Sequence, residues 1–168
     1  MRTKRICLCG LFAALLCICS WLYVPAGNMT FTLQTFAALL ALGLLGGKWG
    51  TVSIIVYLAL GAVGLPVFSG FRGRFGMLFG ATGGFLWGFL AGGLAYWVAF
   101  KLSKSILCSM IVTLVVCYIT GAVWYQIFYL QGSLWAVLAT CVLPYLLPDA
   151  LKLCLAFLLT KRLKQLYK

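Results

Sequence analysis

One carboxylate side chain stands in the whole 168-residue sequence, Asp149, against thirteen lysines and arginines and no histidine. It lies in Leu-Pro-Asp-Ala-Leu-Lys, with Lys152 three residues on. On a helix that spacing puts both side chains on one face, where they can meet. Ionisable groups inside an apolar span cost about 2.5–3.5 kcal/mol each on insertion scales, so a pair is retained chiefly where it faces a partner or a polar cavity. The chemistry on offer is a strong acceptor beside a strong donor, which suits a small polar ligand. A salt bridge that merely caps a helix at the membrane edge is the plainer alternative. Pro148 favours a helix start at that point. Asp149 would then occupy the first turn, where free N–H groups and the positive dipole end stabilise a carboxylate.

Arg72 and Arg74 form a second group, in the glycine-rich stretch Ser-Gly-Phe-Arg-Gly-Arg-Phe-Gly. Guanidinium forks and loop N–H groups suit a carboxylate or phosphate, although solvated charges or lipid headgroup contacts would look the same. The stretch lacks Gly-Lys-Ser/Thr and is no phosphate-binding loop. With no histidine and one acid, imidazole acid/base catalysis, paired-carboxylate hydrolysis and histidine-based zinc sites are excluded, and no enzyme activity, metal or cofactor is expected. The eight cysteines include no C-x-x-C pair and lie within or beside apolar runs, as small helix-packing residues do.

The elements that position these residues must be membrane helices. Hydrophobic residues make up 65% of the chain, charged residues 8%, and mean hydropathy is +1.13. A soluble domain carries about a quarter charged residues. Measured against about 20 residues per crossing, the sequence predicts an all-α integral membrane protein. One domain over 1–168 would hold six spans near residues 6–24, 31–46, 51–64, 77–100, 106–130 and 148–160. Pro144 and Pro148 predict a short helix at 134–143, a bend, and a last span from 148. Residues 25–28 predict a turn. The first run has enough length to span and is read as a helix, not as a cleaved signal. Glycines at 76, 80, 84, 88 and 92 form a small-residue stripe suited to close helix packing.

Charge placement orients the spans. With the N-terminus inside, Arg2, Lys4, Arg5, Lys48, Lys101, Lys104, Lys161, Arg162, Lys164 and Lys168 fall on the cytoplasmic side, ten of the thirteen bases. Both termini are therefore expected in the cytoplasm. Arg72, Arg74 and Lys152 stand outside the rule.

An ordered set of segments resembles the BioY family, the biotin-binding S components of energy-coupling factor (ECF) transporters of the bacterial cytoplasmic membrane. These are Thr32-Leu-Gln-Thr35, Gly46-Gly-Lys-Trp-Gly50, the run from Tyr57 through Gly-Leu-Pro-Val-Phe68, Gly80-Ala-Thr-Gly-Gly-Phe85, and Leu143-Pro-Tyr-Leu-Leu-Pro-Asp-Ala-Leu-Lys152. The resemblance implies six helices, an outward-open pocket for biotin, and energising by a transmembrane coupling protein with two cytoplasmic ATPases. By position, Asp149 would accept the ureido N–H groups, Lys152 would donate to the ureido carbonyl, and Arg72 would hold the valerate carboxylate, with Arg74 able to share it. Tyr57 and Gln34 would line the pocket, and Gly10 and Ala14 on the first helix would form the face that docks on the coupling protein. The chain departs from the family pattern in Gly80-Ala-Thr, where Gly-Pro-Thr is common, and in Leu147-Pro-Asp149, where Pro-Gly-Asp is common. An S component for another small vitamin, and a self-sufficient carrier using Asp149 as its proton site, are the competing readings.

Overall fold

The computed structural model describes residues 2–26, 29–129 and 134–166. Helix α1 spans Arg2–Trp21, strands β1 and β2 span Tyr23–Ala26 and Met29–Thr32, and α2 spans Gln34–Val63. A short 3-10 helix at Phe75–Phe79 precedes α3 (Gly83–Ser103), α4 (Ile106–Phe128), α5 (Leu134–Cys141) and α6 (Leu143–Leu166). All but α5 are long and apolar enough to cross a membrane, five helices among the described residues.

The sequence predicted only a turn between the first two spans. Instead β1 and β2 pair antiparallel, with Tyr23 opposite Thr32 and Ala26 opposite Met29. β-Branched and aromatic residues at 30–32 suit a strand, so the helix expected from 31 begins only at Gln34. Gly27 and Asn28, at the tip of the expected turn, lie outside the described residues.

Helix α2 carries both the second and third expected runs. Its backbone leaves helical geometry at Gly46, with φ 80° and ψ 167°, a conformation close to glycine-only. Residues 34 and 57 would lie about 34 Å apart on a straight helix. Yet Gln34 Nε2 donates to Tyr57 Oη at 2.5 Å across those 23 residues. The helix therefore doubles back at Gly46 into two antiparallel arms. A Cβ at Gly50 would stand 2.7 Å from the Leu42 Cα, so glycine is what lets the arms meet.

The fourth run was expected from 77, but the 3-10 turn and Gly80 delay α3 until Gly83. A side chain at Gly83 would run into the Leu78 carbonyl. Of the glycine stripe, only 84, 88 and 92 lie on α3; they receive Trp124, then Thr120 and Cys117, then Thr113, all from α4. These three positions serve packing within the chain. Gly76 precedes the helix and a Cβ there would meet nothing.

The last helix corrects a further expectation. It starts at Leu143, not at Pro148, and runs unbroken through Pro148. Pro144 falls on the first turn, where N–H groups have no helical partner anyway. Pro148 then removes only the bond that would have reached back to the Pro144 carbonyl. Asp149 consequently lies on the second turn, beyond the reach of the terminal dipole, and other groups must satisfy its charge.

Successive long elements alternate in direction once α2 is counted as two arms. This gathers the Gly46 bend, the α3–α4 turn and the C-terminus of α6 at one end. Gly47 packs on Trp97, and Gly43 on Thr160 and Met110. The opposite end collects the β-hairpin, the 64–82 segment, α5 and the start of α6. Leu16, Leu39, Leu42, Ile54, Tyr57, Tyr96 and Met110 fill the centre. Leu94, Val98, Ile111, Val115 and Ile119 remain exposed on the outside, as lipid-facing positions do.

Candidate functional site

A cavity opens at the hairpin end of the bundle. With its mouth it encloses about 780 Å³ of empty space, and its wall is drawn from the hairpin, α2, the 64–82 segment and α3 to α6. Met77, Phe85, Leu86, Phe89 and Leu114 give it an apolar side. Thr30, Thr32, Gln34, Thr35, Ser69, Thr82, Tyr118, Tyr145, Asp149 and Lys152 give it polar groups. An apolar cleft with a few convergent polar groups is the usual form of a small-molecule site.

Its polar wall centres on the pair anticipated from spacing. Asp149 and Lys152 are each 5% exposed. Lys152 Nζ donates to Asp149 Oδ1 at 2.7 Å and to the backbone carbonyl of Thr32 at 2.6 Å. The ammonium also sits 3.8 Å from the centre of the Phe31 ring, a cation–π contact. The second carboxylate oxygen is held from another helix, because the Tyr118 hydroxyl donates to Asp149 Oδ2 at 2.6 Å. Both charges are thus compensated, as buried ions must be. An ammonium offers three donors and a carboxylate about four acceptor positions, so one donor and about two acceptor positions remain.

Gln34 also lines the cavity. Tyr57 stands one layer behind it, fully buried, and passes the contact on by donating to the Val67 carbonyl at 3.3 Å. Its ring meets Phe68 edge-on at 5.6 Å, and Phe68 in turn faces the cavity. Tyr57 therefore supports the wall without forming it.

Arg72 and Arg74 are exposed, and neither lines the cavity. The chain around them turns tightly. Gly70 and Phe71 have φ of 76° and 54°, and Phe68 N–H donates to the Arg72 carbonyl at 2.8 Å. Arg72 thus stands just outside the rim that Phe68 and Ser69 form. Gly10 and Ala14 lie far from the cavity, exposed on the outer face of α1 beside Leu11 and Ile18, and a Cβ at Gly10 would meet nothing.

Sequence reasoning missed two tyrosines. Tyr118 lies 31 residues from Asp149, and no short-range pattern links them. Tyr145 lies one helical turn before Asp149, a neighbour that i, i+4 spacing alone could have raised, and it stacks on Phe31 at 6.2 Å. Its hydroxyl is buried with no hydrogen-bond partner among the described residues. Such a group costs about 1–3 kcal/mol. Tyr145→Phe should therefore leave the ligand-free protein as stable as the wild type, or more stable by about 1 kcal/mol. Thermal unfolding in detergent checks this, and a drop of several degrees would show that the hydroxyl is engaged.

Known proteins resemble this chain in sequence and in fold. The profile described as the BioY family matches residues 1–168. A protein of Pyrococcus horikoshii named probable biotin transporter BioY is 33% identical over 98% of both chains. The biotin transporter BioY of Thermotoga maritima is 45% identical over 44% of each chain, so that match spans less than half of either. Among solved structures, the S-component for biotin from an ECF-type ABC transporter superposes with a TM-score of 0.89 at 25% identity, covering 98% of this chain and 92% of that one. The S component of a bacterial ECF transporter shares the fold, with a TM-score of 0.66 at 16% identity over 100% and 99% of the two chains.

Proposed function

The chain belongs to the BioY family, and we propose that it binds biotin and takes it up across the bacterial cytoplasmic membrane as the S component of an ECF transporter. One observation carries this reading: a buried acceptor and a buried donor, 2.7 Å apart, face one cavity. A cyclic urea presents an N–H donor directly beside a carbonyl acceptor along each edge. Asp149 would take the N–H and Lys152 would donate its third N–H to the carbonyl, so one edge of the ring pairs at two points. The apolar wall of Phe85, Leu86, Phe89 and Leu114 would pack the thioether ring and the methylene tail, and Gln34 would border the site with Tyr57 behind it.

Arg72, just beyond Phe68 and Ser69, is the proposed partner of the tail carboxylate, with Arg74 two residues on. In this reading Arg72→Ala weakens biotin about tenfold, the value of one charge-assisted hydrogen bond, and leaves biotin methyl ester unchanged. Equal losses for acid and ester would remove Arg72 from the tail site.

The second half of the function needs partners. Six crossings, counting the arms of α2 separately, with the basic end in the cytoplasm, accord with the positive-inside rule. The small, outward face of α1 at Gly10 and Ala14 is the proposed contact for a transmembrane coupling protein, itself driven by two cytoplasmic ATPases. A self-sufficient proton carrier is the weaker reading, because the carboxylate it would use is already tied to Lys152 and Tyr118. The test is calorimetric titration of the purified protein with biotin, followed by uptake in cells with and without the ATPases. Saturable binding with ATPase-dependent uptake is expected. Absence of binding by folded protein would overturn the ligand, and ATPase-independent uptake that collapses with a protonophore would overturn the coupling.

A further inference from the structure

We infer that Tyr118 is a positioning residue for ligand recognition, acting through Asp149; this rests on the reading that Asp149 accepts the ligand's N–H. The inference begins with the freedom of the carboxylate. The terminal torsion of an aspartate is broad, so a single partner leaves the plane of its oxygens loosely defined. Lys152 holds Oδ1 from the same helix, and Tyr118 holds Oδ2 from α4. Two bonds from two helices, one to each oxygen, fix that plane and with it the directions of the lone pairs that remain.

These bonds belong to a longer chain across the cavity wall. Tyr118 donates to Asp149, Lys152 donates to Asp149, and Lys152 donates again to the Thr32 carbonyl on β2. α4, α6 and the hairpin are thereby tied through the atoms that would meet a urea. A ligand edge pairing with an acceptor and a donor gains its full affinity only when both are already in place, since each group ordered on binding subtracts from the result. Tyr118 lines the cavity itself, so it works beside the reacting surface and not from a distance. Its one hydroxyl proton is donated to Oδ2 at 2.6 Å, with the Tyr145 carbonyl a longer 3.4 Å away, and so it orients the acceptor instead of donating to the ligand.

The test is titration of the purified protein with biotin, reading dissociation constant and number of sites separately. Tyr118→Phe is expected to raise the dissociation constant about tenfold with the number of sites unchanged, the value of a hydrogen bond to a charged group. In an Asp149→Asn background the same substitution should change binding less than about threefold, because coupled residues are not additive. 4-Aminophenylalanine at position 118 keeps the ring and a donor and should restore affinity, which separates lost positioning from lost packing. A merely structural role would lower the number of sites while the dissociation constant stayed put, and that result overturns the inference. So does a Tyr118→Phe protein that binds like the wild type. Failure of the wild type to bind biotin at all would instead remove the reading on which the inference rests.

Discussion

Asp149→Asn is expected to weaken biotin binding about 100-fold or more, the lower part of the 2–5 kcal/mol that follows when one partner of a buried, hydrogen-bonded charge pair is changed. The size follows from donor and acceptor counting. The carboxylate accepts from Lys152 on one oxygen and from Tyr118 on the other, and still has acceptor capacity left for a ligand N–H. An amide keeps one oxygen and turns the other position into a donor. If Tyr118 keeps the oxygen, the NH₂ group confronts Lys152 Nζ and the ligand N–H, and three donors then share one place. If Lys152 keeps it, Tyr118 loses its charged acceptor and is left with the Tyr145 carbonyl at 3.4 Å. Neither orientation restores the wild-type surface. Calorimetric titration reads the loss directly, and an affinity within tenfold of the wild type would overturn Asp149 as the acceptor.

The centre of this site was legible because it rests on local spacing. The chain's one carboxylate and a lysine three residues on had to share a helix face, and the structure places them 2.7 Å apart. The reason given for the carboxylate's charge was less well founded. Pro148 looked like a helix start, but the two prolines fall on the first turns of a helix already begun at Leu143, where little hydrogen bonding is there to be broken. The stabilising groups come from Tyr118 and Lys152 instead of the helix terminus. Tyr118 was invisible for a different reason. It is one of eight tyrosines, and its contact depends on how α4 packs against α6, a tertiary fact that no periodicity encodes.

The fold shows the same division. Apolar length identified the five long helices, with the second and third expected runs joined in α2, and Gly-Gly-Lys at 46–48 marked the bend between them. That the chain reverses inside a continuous run, tightly enough for Gln34 to reach Tyr57, depends on the φ of 80° at Gly46 and on the absence of a side chain at Gly50. The hairpin was missed because four-residue strands are shorter than the windows in which alternation can be read. Arg72 stood out in the sequence as a charge outside the positive-inside rule, and its exposure outside the rim follows from the left-handed turn at Gly70 and Phe71.

Removing one charge tests stability and binding together, and the two must be separated. Lys152→Met alone leaves Asp149 buried without its counter-ion, which costs about 3–5 kcal/mol. Its thermal unfolding in detergent should fall sharply, and lost binding would then say little about recognition. The double variant Asp149→Asn/Lys152→Met resolves this. Asparagine still offers an oxygen to the Tyr118 hydroxyl, and methionine fills the lysine's path with an apolar chain that can lie on Phe31. Replacing a buried ion pair by well-packed apolar residues of similar volume is often neutral or stabilising, and here methionine is apolar while the asparagine keeps its bond to Tyr118. The ligand-free double variant should therefore unfold within a few degrees of the wild type and well above either single variant, an interaction energy of the kind double-mutant cycles reveal between contacting residues. Its affinity for biotin should stay lost, because both the acceptor and the donor facing the urea are gone. A stable, folded bundle that no longer binds would place recognition in the charge pair itself. Binding that returned with stability would show instead that the pair served the fold alone, and the ligand's polar end would have to be sought among the threonines of the hairpin and Gln34.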